Sequence, residues 1–455
     1  MFSKFRIGVG LIYLMAFVSV ALQITGLVGE TGILPIELVK RVAFHGSVTQ
    51  AMSESPSLFW IFSSNSALNT AAYGGVLASF LMIVGVFPCL MAGIAWVLYA
   101  SFVGVGADFF QFQWDILLLE FGLISFFILM AKRMTRWGQI AIGALLFRVI
   151  WMSGVVKLLS GDWHWWAGTA LEYHFLTQPL PHIGGFLFHH LPAFILFLMT
   201  MGVLGAELVL PFLLFFKRSR LIALLGIILL MVMIGLTGNY GYFNWLVLVM
   251  VVGLWDPPVS DPPPAPSQEG SLYWVATVGL VTMLVLGGLY DLGRFYPGLS
   301  SRLKLDTLGQ CHVAGRYGLF AVMTTERNEL RIEGSRDGDT WYPYQFRFKP
   351  NRAIDFPYWT VFHMPRLDWQ MWFAALSQFD QQGWLHYFID GLFREKPGVL
   401  SLIDKNPFTS GAPEFIRVSV DRYEFSSINH YIKTHEIWVI TPIGDYSPIL
   451  IRPNL

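Results

Sequence analysis

Charge is what this sequence has least of. Only 13% of the 455 residues are Asp, Glu, Lys or Arg, against roughly 25% in soluble domains. With 55% hydrophobic residues and a mean hydropathy of +0.54, an ordinary soluble chain is excluded and a membrane protein indicated. The 30 basic and 30 acidic residues cancel, so no net field draws nucleic acid or an acidic partner. Cysteine is almost absent. Cys89 lies in an apolar stretch and Cys311 in a polar one, which excludes a disulfide framework. The polar last third has no Gly-x-Ser-x-Gly, phosphate loop or metal cluster. No catalytic residue, metal or cofactor is therefore expected on motif grounds.

What is present is a succession of apolar runs, and a membrane helix needs about 20 such residues. They cover 7–28, 70–87, 89–105, 114–131, 138–159, 193–216, 221–237 and 272–290, with a shorter run over 242–255. The first is read as an uncleaved span because it continues to Val28, past the apolar core of a leader. Three basic clusters fall on one side if every earlier run crosses: Lys4 and Arg6; Lys132, Arg133 and Arg136; Lys217, Arg218 and Arg220. That side is then cytoplasmic. If 242–255 crosses, there are nine spans and the last third lies opposite. If it re-enters, there are eight and the last third is cytoplasmic. The expected division is a helical bundle over 1–254, a Pro-rich linker and last helix over 255–290, and a soluble β-rich domain over 291–455. The Pro-rich stretch 256–266 reads as extended and semi-rigid.

Charges inside membrane spans are costly and need a partner or a task. Asp115 and Glu120 lie on the fourth run, Arg148 and Lys157 on the fifth, Glu207 on the sixth. Arg148 is expected to pair with Glu120 or Glu207, and Lys157, near the outer end, to snorkel. The five either fix helix packing or line a polar pocket. The following loop carries Trp163, Trp165 and Trp166, which read as an interfacial belt. It also holds His164, His174, His182, His189 and His190, at spacings that fit no metal motif. His174, Gln178, His189 and His190 are outer-loop candidates. Asn239 and Asn244 join them from 238–244, where glycines and amides interrupt the apolar run.

The last third alternates polar and apolar residues on both sides of Ser335-Arg-Asp-Gly338, a hairpin-type turn. Residues 414–425 and 436–441 alternate as well, and 369–377 and 384–393 read as helices. The expected fold class is an α-helical multi-pass bundle followed by a β-sandwich-like domain with a helical insertion. Within 365–376, Trp369, Trp372, Phe373 and Leu376 share one helical face. Arg366 and Asp368 stand beside these aromatics, and such charges are seldom buried unpaired. The stretch is either a buried ion-paired element or a client-recognition surface made of Arg366, Asp368, Trp369 and Trp372.

Taken in order, these strings resemble the lipase maturation factor family over nearly the whole chain. The similar stretches are Gly29-Glu-Thr-Gly-Ile-Leu-Pro35, Trp114-Asp-Ile-Leu-Leu-Leu-Glu120, Phe147-Arg148 with Lys157, 173–181, His189-His190 and 238–244. Arg316-Tyr-Gly-Leu-Phe320, 333–338 with Trp341, and 365–376 complete the set. Glu172 departs from the pattern, which has an acid nearer Thr177 and Gln178, so it is given no role. The resemblance implies nine spans, a lumenal C-terminal domain and a chaperone-like role in folding and assembling secreted homodimeric lipases. The implied partners are an exported, lipase-like client and the lipid bilayer. The membrane is that of the endoplasmic reticulum in a eukaryote and the inner membrane in a bacterium. The absence of an Asn-x-Ser/Thr sequon favours the bacterial source. More distantly, the membrane half resembles the integral membrane domain of vitamin K-dependent γ-carboxylases. That implies an alternative: a redox or carboxylase-like membrane enzyme acting with a lipid-soluble cofactor, its site around Arg148, Lys157 and Glu207.

Overall fold

The apolar runs become nine helices. These are α1 (Phe2–Ala21), α2 (Asn65–Val84), α3 (Pro88–Val105), α4 (Gln113–Met130), α5 (Arg136–Leu159), α6 (Ala193–Leu213), α7 (Arg220–Thr237), α8 (Phe243–Leu254) and α9 (Gln268–Phe295). All but α8 are long and apolar enough to cross a membrane, so the chain is a multi-pass membrane protein. The computed structural model describes residues 2–255 and 268–453, and the expected Pro-rich linker at 256–266 lies outside the described residues. Local chemistry sets several boundaries. Ser64 caps α2 by accepting from the Ala67 N–H, and Gly85 ends it in a left-handed turn. Pro88 then opens α3, where its missing N–H costs nothing. Thr135 caps α5 by accepting from the Gly138 N–H.

The first span stops at Ala21 and not at Val28. The chain turns there, and a short helix, Ile24–Val28, follows. Gln23 marks the break: its Nε2 donates to the Ser19 carbonyl and to the Met364 carbonyl, both at 2.8 Å. A polar contact with the C-terminal half thus ends an apolar run that composition alone would continue.

α8 packs between α1, α5 and α7 and runs antiparallel to α1. Gly253 lies against Phe5, and Gly8 against Val249. At the end of α8, the Leu254 carbonyl accepts from Arg220 Nε and Nη2 at 3.2 and 2.7 Å, level with the first residue of α7. α9 packs on α4 and α5. Near its start Tyr273 lies 4.8 Å from Arg133. It ends at Phe295, beyond the expected limit of 290, and so carries Asp291 and Arg294 as helical residues.

The C-terminal half holds β1 (Arg327–Ser335), β2 (Tyr342–Pro343), β3 (Gln345–Phe346), β4 (Ile403–Lys405), β5 (Phe415–Phe425), β6 (Trp438–Asp445) and β7 (Leu450–Ile451). One antiparallel sheet has the order β2-β1-β5-β6, with β7 also on β5, and β3 pairs with β4 in a second. β1 and β5 are in register from Arg327↔Tyr423 to Ser335↔Phe415. The helical insertion is α10 (Arg366–Ala374) and α11 (Gly383–Phe393). One hydrophobic core runs without a break from Phe5 on α1 to Val418 on β5. The two halves are therefore one packed body.

Candidate functional site

α10 is the wedge between the halves. Pro365 precedes it with φ −74°, ready for a helix start. Seven of its first residues, Arg366 to Trp372, are buried on every face. The expected apolar stripe is only half right: Trp369 and Trp372 are buried, while Phe373 and Leu376 are exposed. The reason is that α10 is enclosed by the β domain on one side and the bundle on the other, and only its far end emerges. Trp369 packs edge-on to Trp114 of α4, with ring centroids 4.8 Å apart. Trp372 Nε1 donates to the Thr177 carbonyl at 2.8 Å. Asp368 accepts from the backbone N–H groups of Phe348 and Lys349, both at 2.9 Å. Burial pushes its carboxyl up to about 6, against the pull of those two N–H groups and the Lys349 charge. Arg366, Asp368, Trp369 and Trp372 therefore lie in the joint between the halves and not on an outward face.

Arg366 is the deepest of the four. Its Nη1 and Nη2 donate to Asp115 Oδ2 and Oδ1 at 2.8 and 2.7 Å, a two-pronged bridge with both side chains at 0% exposure. Nη1 also donates to the Phe109 carbonyl at 2.6 Å, and the guanidinium lies 3.6 Å from the Phe110 ring centre. Asp115 accepts from the hydroxyls of Tyr99 and Tyr242 at 2.6 and 2.8 Å. One carboxylate thus ties α3, α4, the start of α8 and α10 together. Charge this deep is tolerated only when it is paired and fully hydrogen-bonded, as here.

Two further bolts join the halves. Arg148 pairs with Glu120, as expected, and also with Asp291 on α9. Its Nη2 donates to the Gly315 carbonyl at 2.9 Å. Glu120 Oε2 accepts from the Gly315 N–H at 2.8 Å and the Tyr317 hydroxyl at 2.6 Å. The void beside Arg148 is about 20 Å³, room for no more than about one water. Arg327, at the start of β1, is 1% exposed. It donates to the carbonyls of Leu176, Gln178 and Pro179 and to Glu329. Sequence reasoning missed Arg327, Tyr99, Tyr242 and Asp291. Tyr317 sat inside the quoted Arg316-Tyr-Gly string, but nothing there pointed to Glu120.

Lys157 does not snorkel. It is 4% exposed, and its Nζ donates to both oxygens of Glu207 at 2.8 and 2.9 Å. The loop after α5 folds back over it. Trp165, expected in the interfacial belt, is buried over Lys157 at 5.1 Å, whereas Trp163 and Trp166 are exposed. The pair lines a cavity of about 120 Å³ between α5, α6 and α7. The short helix Ala170–Thr177 closes it from above with His174, together with Tyr240 and Phe320. His174 Nε2 meets the Tyr240 hydroxyl at 3.0 Å, and that hydroxyl donates to Gln178 Oε1 at 3.0 Å. Gln178 Nε2 donates to the carbonyls of Phe175 and Thr237. With the Tyr240 proton committed to Gln178, His174 Nε2 is the donor to Tyr240. Burial, helped by the nearby Lys157 charge, pushes His174 down to about 4. Gly238 is required here, since a Cβ would stand 1.8 Å from Gln178 Oε1.

The other outer candidates bind backbone. Asn239 Nδ2 donates to the carbonyls of Leu180 and Tyr358. His190 places its ring nitrogens 2.8 Å from the Phe186 carbonyl and 2.9 Å from the Ser426 carbonyl, bridging the halves. His189 Nδ1 and Asn244 Oδ1 have no hydrogen-bond partner among the described residues.

Fold and site define a class: a multi-pass helical membrane protein whose C-terminal β domain is dovetailed into one end of the bundle by buried charge. Sequence comparison supplies the family. The sequence model of the lipase maturation factor transmembrane domain matches residues 3–259, and that of the lipase maturation factor C-terminal domain matches residues 313–448. The chain therefore belongs to the lipase maturation factor family. It is 30% identical to lipase maturation factor 2 of Mus musculus, over 95% of this chain and 81% of that protein. Identity to lipase maturation factor 2 of Xenopus laevis is 29%, over 94% and 79%. Identity to lipase maturation factor 1 of Mus musculus is 28%, over 98% and 86%. No solved structure matches the chain.

Proposed function

We propose that this chain is a chaperone-like maturation factor for exported, lipase-like proteins, with its C-terminal domain on the face opposite the Lys/Arg clusters. The observation that carries the role is the match to both family domains along one chain, since the relatives' names state the activity. What supports the side is the path of α8 and α9. α8 returns to the level of Arg220, α9 starts beside Arg133, and α9 then leads away to Asp291 and the β domain. In this reading the chain crosses nine times, and the β domain faces a periplasm or an organelle lumen.

Arg366, Asp368, Trp369 and Trp372 then act by holding the β domain at a set position on the bundle. Client contact falls to the exposed surface of that domain. The test is co-expression of an exported lipase with this protein in cells lacking their own factor. The expected result is more folded, active lipase at equal lipase synthesis. No gain in specific activity at normal levels of this protein would refute the role. The side is tested separately by a single cysteine at Ser410→Cys, in a Cys89→Ser, Cys311→Ser background. A membrane-impermeant maleimide should label it without lysis, and labelling only after lysis would refute the assignment.

A further inference from the structure

The ninth crossing is too short, and the C-terminal half makes up the difference. α8 has 12 residues, about 18 Å at 1.5 Å per residue, against a hydrocarbon core of about 30 Å. Its lower end is fixed at the level of Arg220 by the Leu254 carbonyl. Its upper end therefore stops about 12 Å short of the opposite boundary. Non-helical backbone at that depth survives only where protein satisfies its polar groups.

Residues 358–366 meet that condition. Asn239 Nδ2 donates to the Tyr358 carbonyl at 2.7 Å, and its Oδ1 accepts from the Thr360 N–H at 2.8 Å. Trp245 Nε1 donates to the Val361 carbonyl at 3.4 Å. Ser19 Oγ accepts from the Met364 N–H at 3.0 Å, and Gln23 Oε1 from the Arg366 N–H at 2.9 Å. Every one of these partners belongs to the membrane half. Trp245 lies about 14 Å along α8 from Leu254, so the Val361 carbonyl sits near the middle of the bilayer. The Trp359 ring is 6.2 Å from His182, whose Nε2 lies 3.2 Å from the Gly235 carbonyl. Gly235 stands about 22 Å along α7 from Arg220, still within the hydrocarbon.

The side chains of this segment are uncovered. Phe356, Tyr358, Trp359 and Val361 are 42%, 63%, 55% and 41% exposed. No Asp, Glu, Lys or Arg occurs between Asp355 and Arg366. At the same depth α7 exposes Val232 and Leu236, and α8 exposes Trp245. The patch therefore continues the lipid-facing surface of the bundle, with its backbone already satisfied from behind.

We propose that residues 356–363 form a re-entrant membrane element. The loop enters the leaflet away from the basic clusters, completes the short ninth crossing, and presents Phe356, Tyr358, Trp359 and Val361 to acyl chains. Its partner is the lipid bilayer, and not a client chain.

The test uses the full-length protein in phosphatidylcholine vesicles, with Cys89→Ser and Cys311→Ser. Single nitroxides are placed at Tyr358→Cys, Trp359→Cys or Val361→Cys, with Ser410→Cys as an aqueous control. Spin relaxation by oxygen, which partitions into lipid, is compared with relaxation by a water-soluble nickel chelate. The three loop probes should be relaxed mainly by oxygen, with Val361→Cys the deepest, and Ser410→Cys mainly by nickel. These side chains touch little protein, so at least one probe is expected to fold, and each decides the matter alone. Nickel relaxation of a folded loop probe equal to that of the control would overturn the proposal. It would assign the patch to the aqueous surface, where a client chain could reach it.

Discussion

Replacing Arg366 with methionine leaves Asp115 buried with only the Tyr99 and Tyr242 hydroxyls as partners. In the native protein that carboxylate receives two short guanidinium bonds, at 2.7 and 2.8 Å, with both side chains at 0% exposure. Removing one partner of such a pair costs about 3–5 kcal/mol, chiefly because the other charge is stranded. Asp115→Asn should cost a similar amount, because Arg366 would then keep only the Phe109 carbonyl and the Tyr99 hydroxyl. Removing both charges at once strands nothing. The double variant should therefore lie within about 2 kcal/mol of wild type, well short of the sum of the singles. The assay is reversible unfolding of the purified protein in mixed micelles, followed by tryptophan fluorescence, with abundance in the membrane recorded alongside. A single-variant cost below about 1 kcal/mol, or a double variant as damaged as the sum, would show that the bridge does not hold the joint.

Three further outcomes follow from the same packing. Lys157→Met strands Glu207 beside the cavity and should cost about 3–5 kcal/mol, with Glu207→Gln added on top recovering most of it in the same unfolding assay. Gly238→Ala should drive Gln178 from Tyr240 and cost about 2–3 kcal/mol by overpacking and lost hydrogen bonds, and an unchanged midpoint would refute the close contact. Asp368 is sensitive to pH because the folded carboxyl keeps its proton up to about 6, whereas an unfolded one loses it near 3.9. Stability is thus undiminished below about pH 4, falls as pH rises toward 6, and carries a penalty of about 3 kcal/mol above that. Asp368→Asn keeps an oxygen for the Phe348 and Lys349 N–H groups. It should raise the unfolding midpoint at about pH 8 and change little at about pH 4, and equal midpoints at both would refute the assignment.

Much of the membrane half could be read directly. Bilayer thickness demands long apolar runs, and eight of them appear at nearly the expected places. The cost of buried charge demanded a partner for Arg148, and Glu120 was one of two candidates. Lys157 misled because its position near the end of a run suggests a side chain reaching water. Only the fold-back of Trp165 and His174 closes that route and commits it to Glu207. The tyrosines at 99, 242 and 317 read as apolar residues in apolar surroundings, and only assembly aims their hydroxyls at Asp115 and Glu120. Asp291 was assigned to the soluble domain because the apolar run ends at Tyr290, although the helix continues.

By itself the amino-acid sequence determined the class of the protein: where the chain can cross a bilayer, where strands alternate, and which charges could not stand alone. These are local consequences of periodicity, length and desolvation. The tertiary structure decided which charge meets which, that α8 travels back to the basic end despite its 12 residues, and that the 365–376 stretch is a joint between halves. Those depend on contacts across more than two hundred residues, such as Arg366 with Asp115. No local pattern encodes the distance between two side chains that only the packed core brings together.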